Sequence, residues 1–319
     1  MPRAGIAAMA MAPEGPAVAV LMATFNGAAH LAAQLDSFAG QSLPPRWLVV
    51  SDDGSTDATL EILADFASRH PAISVTVLHG PRRGAAANFL HLLAHVPEGA
   101  EFVALSDQDD VWLPGKLADG VALLRGANLP ALLGTRTLVC DESLGGARPS
   151  PLWRRPFGFA HALVQSFAGG NTMMLNRAAI RLVTAAAEEA GQVVMHDWWL
   201  YQIITGAGGQ VVFDPRPQLY YRQHGANQIG ANRGPIAKLH RLRALLRGDF
   251  RVWNGINAAA LAASAHRLTP ENRAILKDFI RLRGLPLAAR IAGFRRLQLY
   301  RQGPAGTASL WLAVALGRL

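Results

Sequence analysis

Cysteine is nearly absent: Cys140 is the only one in 319 residues. A single thiol excludes an internal disulfide framework and any zinc site built on clustered cysteines, and it fits a reducing cytoplasm. Lysine is scarce as well. Lys116, Lys238 and Lys277 are the only three among 31 basic residues, so the formal net charge of +9 is carried by arginine. Long apolar runs are missing too, although the mean hydropathy is slightly positive at +0.16. A membrane-spanning helix needs roughly 20 consecutive apolar residues. Gly15 to Leu35 is uncharged but is interrupted by Pro16, Thr24, Asn26, Gly27, His30 and Gln34, and the run from Gly303 to Gly317 is short and opens on Gly-Pro. The stretch after Arg3 has only a weak signal-peptide core, and Pro13-Glu14-Gly15-Pro16 reads as a flexible lead-in.

What is present is the composition of a globular protein, 50% hydrophobic and 17% charged, long enough for one large domain or a domain with an appendage. The basic balance predicts attraction to polyanions: nucleic acid, anionic lipid or phosphate-bearing substrates. From Val18 to about Asp141, short apolar runs alternate with amphipathic stretches. Val18 to Ala23, Trp47 to Ser51, Ile73 to Leu78, Phe102 to Leu105 and Ala131 to Val139 read as buried strands. Ala28 to Phe38, Ala58 to Arg69, Ala85 to His95 and Leu113 to Leu124 read as helices. That alternation predicts βαβ units and a mostly parallel sheet in an α/β fold, with chemistry beyond the carboxyl ends of the strands. Further on, Arg177 to Ala190 and His196 to Ile204 read as helices, and Val211 to Phe213 and Gln218 to Arg222 as two short strands. After Pro235 come Arg-rich amphipathic helices over Lys238 to Arg247, Val252 to Arg267, Glu271 to Arg283 and Leu287 to Arg301.

The strand ends carry the candidate chemistry. Thr24-Phe25-Asn26-Gly27 follows the first strand and matches neither a dinucleotide fingerprint nor a P-loop. Asp52-Asp53-Gly54-Ser55-Thr56-Asp57 follows the second, and reads equally as an acceptor of nucleoside hydrogen bonds or as a plain turn and N-cap. Ser106-Asp107-Gln108-Asp109-Asp110 crowds three carboxylates into four residues. Such a group is costly to hold unless a hard cation such as Mg²⁺ or Mn²⁺ neutralises it together with substrate phosphates; the alternative is a solvated acidic loop. Met195-His196-Asp197-Trp198-Trp199 offers an acid that burial could tune into a general base, or an N-cap beside a surface His. Arg222 and His224 could bind a diphosphate.

The order and spacing of these pieces, with Gly84 to Asn88 before Phe89, Gly169-Gly170-Asn171-Thr172 and Tyr221-Arg222-Gln223-His224-Gly225, resemble the inverting nucleotide-sugar glycosyltransferases of family two, in particular the rhamnosyltransferase-like group. The resemblance covers about Val18 to Asn232. It implies a GT-A (nucleotide-diphospho-sugar transferase) fold over 18–232, after a lead-in at 1–17 and before a basic helical extension at 233–319. By the same resemblance Thr24, Asn26, Asp52, Asp53, Gly84, Asn88, Asp107 and Arg222 serve the nucleotide sugar, and Asp109 and His224 the metal. Asp197 stands where the family has its base, with His196, Trp198 and Trp199 on the acceptor side.

The implied reaction is metal-dependent, non-processive transfer of a sugar, best matched by L-rhamnose from dTDP-rhamnose, to a hydroxyl of a glycan or lipid-linked acceptor. The Q-x-x-R-W element of processive members is missing. Adsorption of the Arg-rich helices to an anionic inner membrane face stands beside a bland role as a helical cap or homo-oligomer contact. A nucleic-acid-binding protein is the rival suggested by charge, but the acidic cluster opposes it; a metal-dependent nucleotidyltransferase is the other, and it lacks its Lys-bearing phosphate loop.

Overall fold

The computed structural model describes residues 15–223, Arg243 and 247–319. His224, most of the lead-in and most of the helix expected over Lys238 to Arg247 lie outside them. The first half alternates strictly: β1 (Val18–Thr24), α1 (Ala28–Ala39), β2 (Trp47–Asp52), α2 (Thr59–Arg69), β3 (Ser74–His79), α3 (Ala85–Leu93), β4 (Phe102–Ser106), β5 (Val111–Trp112), α4 (Lys116–Leu124) and β6 (Ala131–Cys140). After β7 (Arg148–Pro149) and the short α5 (Phe159–Ala162) come β8 (Met174–Asn176), α6 (Arg177–Ala187), α7 (His196–Gly206) and β9 (Gln210–Arg222). Four further helices close the chain: α8 (Asp249–Ala263), α9 (Pro270–Leu282), α10 (Leu287–Arg296) and α11 (Pro304–Ala315).

Among the described residues nine strands form one sheet in the order β3-β2-β1-β4-β8-β6-β9-β5, with β7 paired to β6. β1 is apolar almost throughout because it lies between β2 and β4 and is covered on both faces. Its parallel register sets Thr24 opposite Asp52 and Met22 opposite Ser106, so three strands end at one edge and release their polar loops side by side. The short β8 runs antiparallel between β4 and β6 and brings the Gly170–Thr172 turn before it to the same edge.

Two sequence expectations change. The strands expected over Val211 to Phe213 and Gln218 to Arg222 are one strand, β9, whose pairing with β6 slips between Thr135 and Leu138. The slip is opposite Pro215 and Pro217, where a proline lacks the amide a regular ladder needs. The uncharged tail also forms a helix, α11, begun by Pro304. No helix among the described residues is long and apolar enough to cross a membrane.

The terminal helices share the apolar core beneath the sheet. Leu261, Phe279, Leu282, Phe294, Leu310 and Val314 are buried in the same cluster as Trp199, Leu200 and Tyr201 of α7. Asn272 Nδ2 donates to the carbonyls of Thr205 and Gly206 at 3.0 Å each, capping the end of α7. Glu189, just past α6, takes Arg267 in a bidentate pair and also accepts from Ser264. Several arginines expected on a solvated face instead serve carbonyls: Arg283 donates to Leu319, Arg290 to Leu285 and Ala315, and Arg301 to Val164.

Candidate functional site

At the carboxyl edge of the sheet the loops after β1 and β2 are laced together. Thr24 Oγ1 donates to Asp52 Oδ1 at 2.9 Å, and the other Asp52 oxygen accepts the Gly54 and Ser55 amides. Ser55 Oγ also donates to Asp52. These donors hold the Asp52 carboxyl below its ordinary range against the opposing effect of burial. Asp52 was expected to face a nucleotide; it is buried, and its carboxylate is spent on the loop, which corrects that role to a structural one.

Asn26 sits at φ +48°, a left-handed position that asparagine tolerates, because its Oδ1 accepts the Thr56 amide at 2.9 Å. Asp53 lies at the rim, accepting the amides of Arg82 at 2.6 Å and Gly84 at 2.9 Å. Gly84, at φ +84°, makes the bend into α3. Asn88 is buried and ties α3 to the end of β2 through the Ser51 carbonyl.

The structure adds two residues with no sequence signal of their own. Phe25 stands 56% exposed in the first loop, an open aromatic face at the carboxyl edge of the sheet. Gln108 clasps its backbone from both sides, with Oε1 accepting the Phe25 amide at 2.9 Å and Nε2 donating to its carbonyl at 3.0 Å. A Cβ at Gly27 would lie 2.3 Å from Gln108 Oε1, so the Gln108 side chain would have to give way. Gln108 thus joins the first loop to the acidic one.

The three acids of that loop divide by environment. Asp107 is half-buried, and its carboxyl is pushed up to about 7 by burial and by the negative charges of Asp109 and Asp197. Asp109 lies beside it, its carbonyl accepting Arg222 Nε at 3.0 Å. Asp110 is fully buried and accepts from Asn171 Nδ2 at 2.7 Å, so it belongs to the interior rather than to an open acidic pocket. Arg222 is buried as well and gives hydrogen bonds to the carbonyls of Asp109 and Glu142. Expected at the diphosphate, it supports the Asp109 loop.

Opposite stands the start of α7. The Asp197 carboxylate accepts its neighbour's amide, Trp198 N, at 2.5 Å, and the nearby Gly170 amide also favours its charged form. Burial nevertheless outweighs these donors and raises it to about 6. Its like charge is felt by Asp107, so Asp107, Asp109 and Asp197 converge on one space.

The acceptor-side trio is corrected in part. His196 stacks on Phe89 with centroids 3.7 Å apart, and burial drops its imidazole to about 3, leaving it neutral. Trp199 is wholly buried in the core and cannot meet an acceptor. Trp198 donates Nε1 to Ala162 and forms one wall of a groove of about 410 Å³ with Trp153, Phe250, Trp253 and Arg301.

Among the described residues no three His, Cys, Asp or Glu side chains are disposed to hold a metal by themselves. The donor set still suits a hard cation, for two adjacent carboxylates that repel each other are the protein share of a Mg²⁺ or Mn²⁺ site completed by waters and substrate phosphates. Chemically the site brings together the adjacent Asp107 and Asp109 carboxylates, an anchored loop rim and a third carboxylate, Asp197, raised to about 6 and so tuned to exchange protons near neutrality.

Comparison with known proteins agrees with this arrangement. The dTDP-rhamnosyl transferase RfbG of Shigella flexneri is 27% identical over 228 residues, covering 69% of this chain and 78% of that protein. The putative glycosyltransferase EpsE of Bacillus subtilis is 33% identical over 138 residues, 43% of this chain and about half of its own length at 49%. Among solved structures, TarS residues 1–349 from S. aureus in complex with UDP-GlcNAc has a TM-score of 0.52 at 14% identity, covering 95% of this chain and 89% of that one, a likeness of fold. Residues 19–183 match glycosyl transferase family 2, a span that holds the loops of Thr24, Asp52 and Asp107 and the Gly170 turn. The protein therefore has the GT-A fold, and it belongs to glycosyl transferase family 2.

Proposed function

We propose that the protein is an inverting, non-processive glycosyltransferase that moves a sugar, L-rhamnose from dTDP-rhamnose, to a hydroxyl of a glycan or lipid-linked acceptor. The observation that carries this is the Asp107, Asp109 and Asp197 triangle: a pair of acids fit for a cation, faced by a third whose carboxyl is held at about 6. The choice of rhamnose rests on the likeness to RfbG over 69% of the chain.

Phe25 stacks the nucleobase and Asp53 accepts from the nucleoside at the loop rim. Asp107 and Asp109 would hold the divalent ion, with His224 as a further ligand; when bound, the ion would neutralise charge that develops on the diphosphate. The acceptor hydroxyl attacks the anomeric carbon from the face opposite the diphosphate. Its oxygen forms the new glycosidic bond, the bond from that carbon to the diphosphate oxygen breaks, and Asp197 takes the hydroxyl proton. A general base of this kind is worth about 10² to 10⁴ in rate. The acceptor lies along the aromatic groove of Trp153, Trp198 and Trp253, whose ring faces suit the apolar side of a sugar. The surplus arginines of the terminal helices hold the enzyme at the anionic inner face of the membrane, near a lipid-linked acceptor, at roughly 1 kcal/mol for each cation near the surface.

The test is a thermal-shift panel of nucleoside diphosphates and their sugars with Mn²⁺, followed by the anomeric configuration of the product by NMR. Binding at 100 times Kd adds about 2.7 kcal/mol of stability. The expected result is a Tm rise with dTDP and dTDP-rhamnose that EDTA reverses, and a product of inverted configuration. No shift with any nucleotide would end the proposal, and a shift with another nucleotide alone would end its rhamnosyl part. Flotation with anionic liposomes at low salt tests the membrane contact; protein left at the bottom of the gradient contradicts it.

A further inference from the structure

The Gly170–Thr172 turn carries no acid or base, yet a buried polar trio grips it from behind. Asp110, Lys116 and Asn171 are 0%, 5% and 4% exposed. Asn171 Nδ2 donates to Asp110 Oδ2 at 2.7 Å, and Lys116 Nζ donates to the Asn171 carbonyl at 3.0 Å. The ammonium also rests 4.5 Å from the centroid of the Trp112 ring. The turn closes on itself through Met173 N to the Gly170 carbonyl at 2.8 Å, and the Met173 carbonyl accepts Leu105 N at 3.1 Å, which sets it against the end of β4.

The front of the same turn meets the reacting side. The Gly170 amide lies near enough to the Asp197 carboxylate to favour its charge, and the Gly170 Cα backs against the His196 ring, which a Cβ would approach to 2.1 Å. Asp110 follows Asp109 directly, and Lys116 opens α4. One continuous set of contacts thus runs from the acidic loop through Asp110 and Asn171 to Gly170, which packs on His196 beside Asp197.

Burial pushes the Lys116 amine down to about 7 and the Asp110 carboxyl up, so holding this pair inside costs free energy that apolar side chains of like volume avoid, and packing alone does not account for the trio.

We propose that Asp110, Asn171 and Lys116 are positioning residues: a clamp that fixes the Gly170 turn, and through it the Asp197 carboxylate, at a set distance from the Asp107 and Asp109 loop. The proposal rests on Asp197 as the base. The clamp touches neither donor nor acceptor. Its loss therefore lowers the rate of the bound complex and leaves nucleotide affinity intact, whereas loss of a metal ligand weakens both.

The experiment compares Asn171→Ala, Asp110→Ala and Asp110→Asn with the wild type. It reads kcat for dTDP-rhamnose turnover, Kd for dTDP with Mn²⁺ by calorimetry, Tm, and amide exchange of the 169–173 segment. Asn171→Ser, whose hydroxyl is too short to reach Asp110, replaces Asn171→Ala where the latter does not fold. Expected for Asn171→Ala and Asp110→Ala is a kcat loss of about tenfold or more, the scale of a reacting group displaced by a fraction of an ångström. The dTDP Kd stays within about twofold, and 169–173 exchanges about tenfold faster as the turn opens. Asp110→Asn keeps an oxygen for Asn171 and retains kcat within about threefold, because the neutral hydrogen bond survives.

Unchanged kcat and exchange in folded Asn171→Ala would overturn the clamp. A tenfold weaker dTDP Kd in Asp110→Asn would make Asp110 a metal ligand and overturn it as well. If the wild type turns over no nucleotide sugar, the role of Asp197 falls, while exchange in the 169–173 segment still decides whether the trio holds the turn.

Discussion

Substituting Gly170 by alanine tests how tightly the site is built. The added Cβ would lie 2.1 Å from His196 Nε2, 2.9 Å from Cε1 and 3.1 Å from Cδ2. Ordinary contact begins near 3.4 Å, so the methyl or the ring must retreat by about 1.3 Å, the difference of 3.4 and 2.1. The ring has little room to yield, for it is stacked on Phe89 at 3.7 Å with an interplanar angle of 22°. Overpacking of this kind costs about 1–3 kcal/mol. If the turn moves instead, the surroundings of the Asp197 carboxylate move with it, and a displacement of about 1 Å costs about 10² in rate.

Gly170→Ala should therefore lower Tm by several degrees and turnover by one to two orders of magnitude, with nucleotide affinity little changed. Calorimetric unfolding and nucleoside diphosphate release measure the two. The double variant Gly170→Ala, His196→Ala removes the obstructing ring and should regain part of the lost rate. A single variant with wild-type Tm and kcat, or a double variant no better than the single, would refute the steric argument.

Three further outcomes follow from named groups. Because Asp197 is held at about 6 and acts as a base only when ionised, kcat/KM should fall tenfold per pH unit below about 6; a flat profile down to pH 5 excludes it as the group that titrates. Glu189→Gln should cost about 1 kcal/mol in urea unfolding at neutral pH, discounted for a side chain 26% exposed. Arg267 and Ser264 hold Glu189 down to about 2, so its stabilisation is present above the ordinary carboxylate range and is lost as pH falls toward 2; the gap between variant and wild type should close there, and a gap independent of pH contradicts the ion pair. Asp52→Ala, which strands four hydrogen-bond donors in the paired loops, should cost about 2–3 kcal/mol in the same assay, and a loss under about 0.5 kcal/mol would contradict its structural role.

Much of the fold is legible in the sequence because period and burial agree. Val18 to Ala23 and Trp47 to Ser51 are apolar without alternation, as strands covered on both faces must be, and the helices between them carry clear stripes. The terminal helices are legible as helices, but the partners of their arginines are not. Arg283, Arg290 and Arg301 reach the carbonyls of Leu319, Ala315 and Val164, residues distant in sequence, which no local pattern encodes.

Within the site, the acids and their loops stand out as clusters at strand ends. Their division of labour does not, since Asp52 and Asp53, or Asp109 and Asp110, are neighbours in sequence and differ only in which way the backbone turns each side chain. Phe25, Gln108 and the trio of Asp110, Lys116 and Asn171 are long-range arrangements, joining residues 25 with 108 and 116 with 171. The buried lysine in an arginine-rich chain is the one trace of them that composition leaves.

The central claim is that Asp197 removes the acceptor proton in a sugar transfer, and Asp197→Asn tests it most directly. Asparagine keeps the size of the side chain and an oxygen for the Trp198 amide, so the start of α7 stays in place. Measured side by side, transfer to acceptor should fall by about 10² to 10⁴ while Kd for dTDP with Mn²⁺ holds within about twofold. Retention of more than about a tenth of the transfer rate would contradict the account.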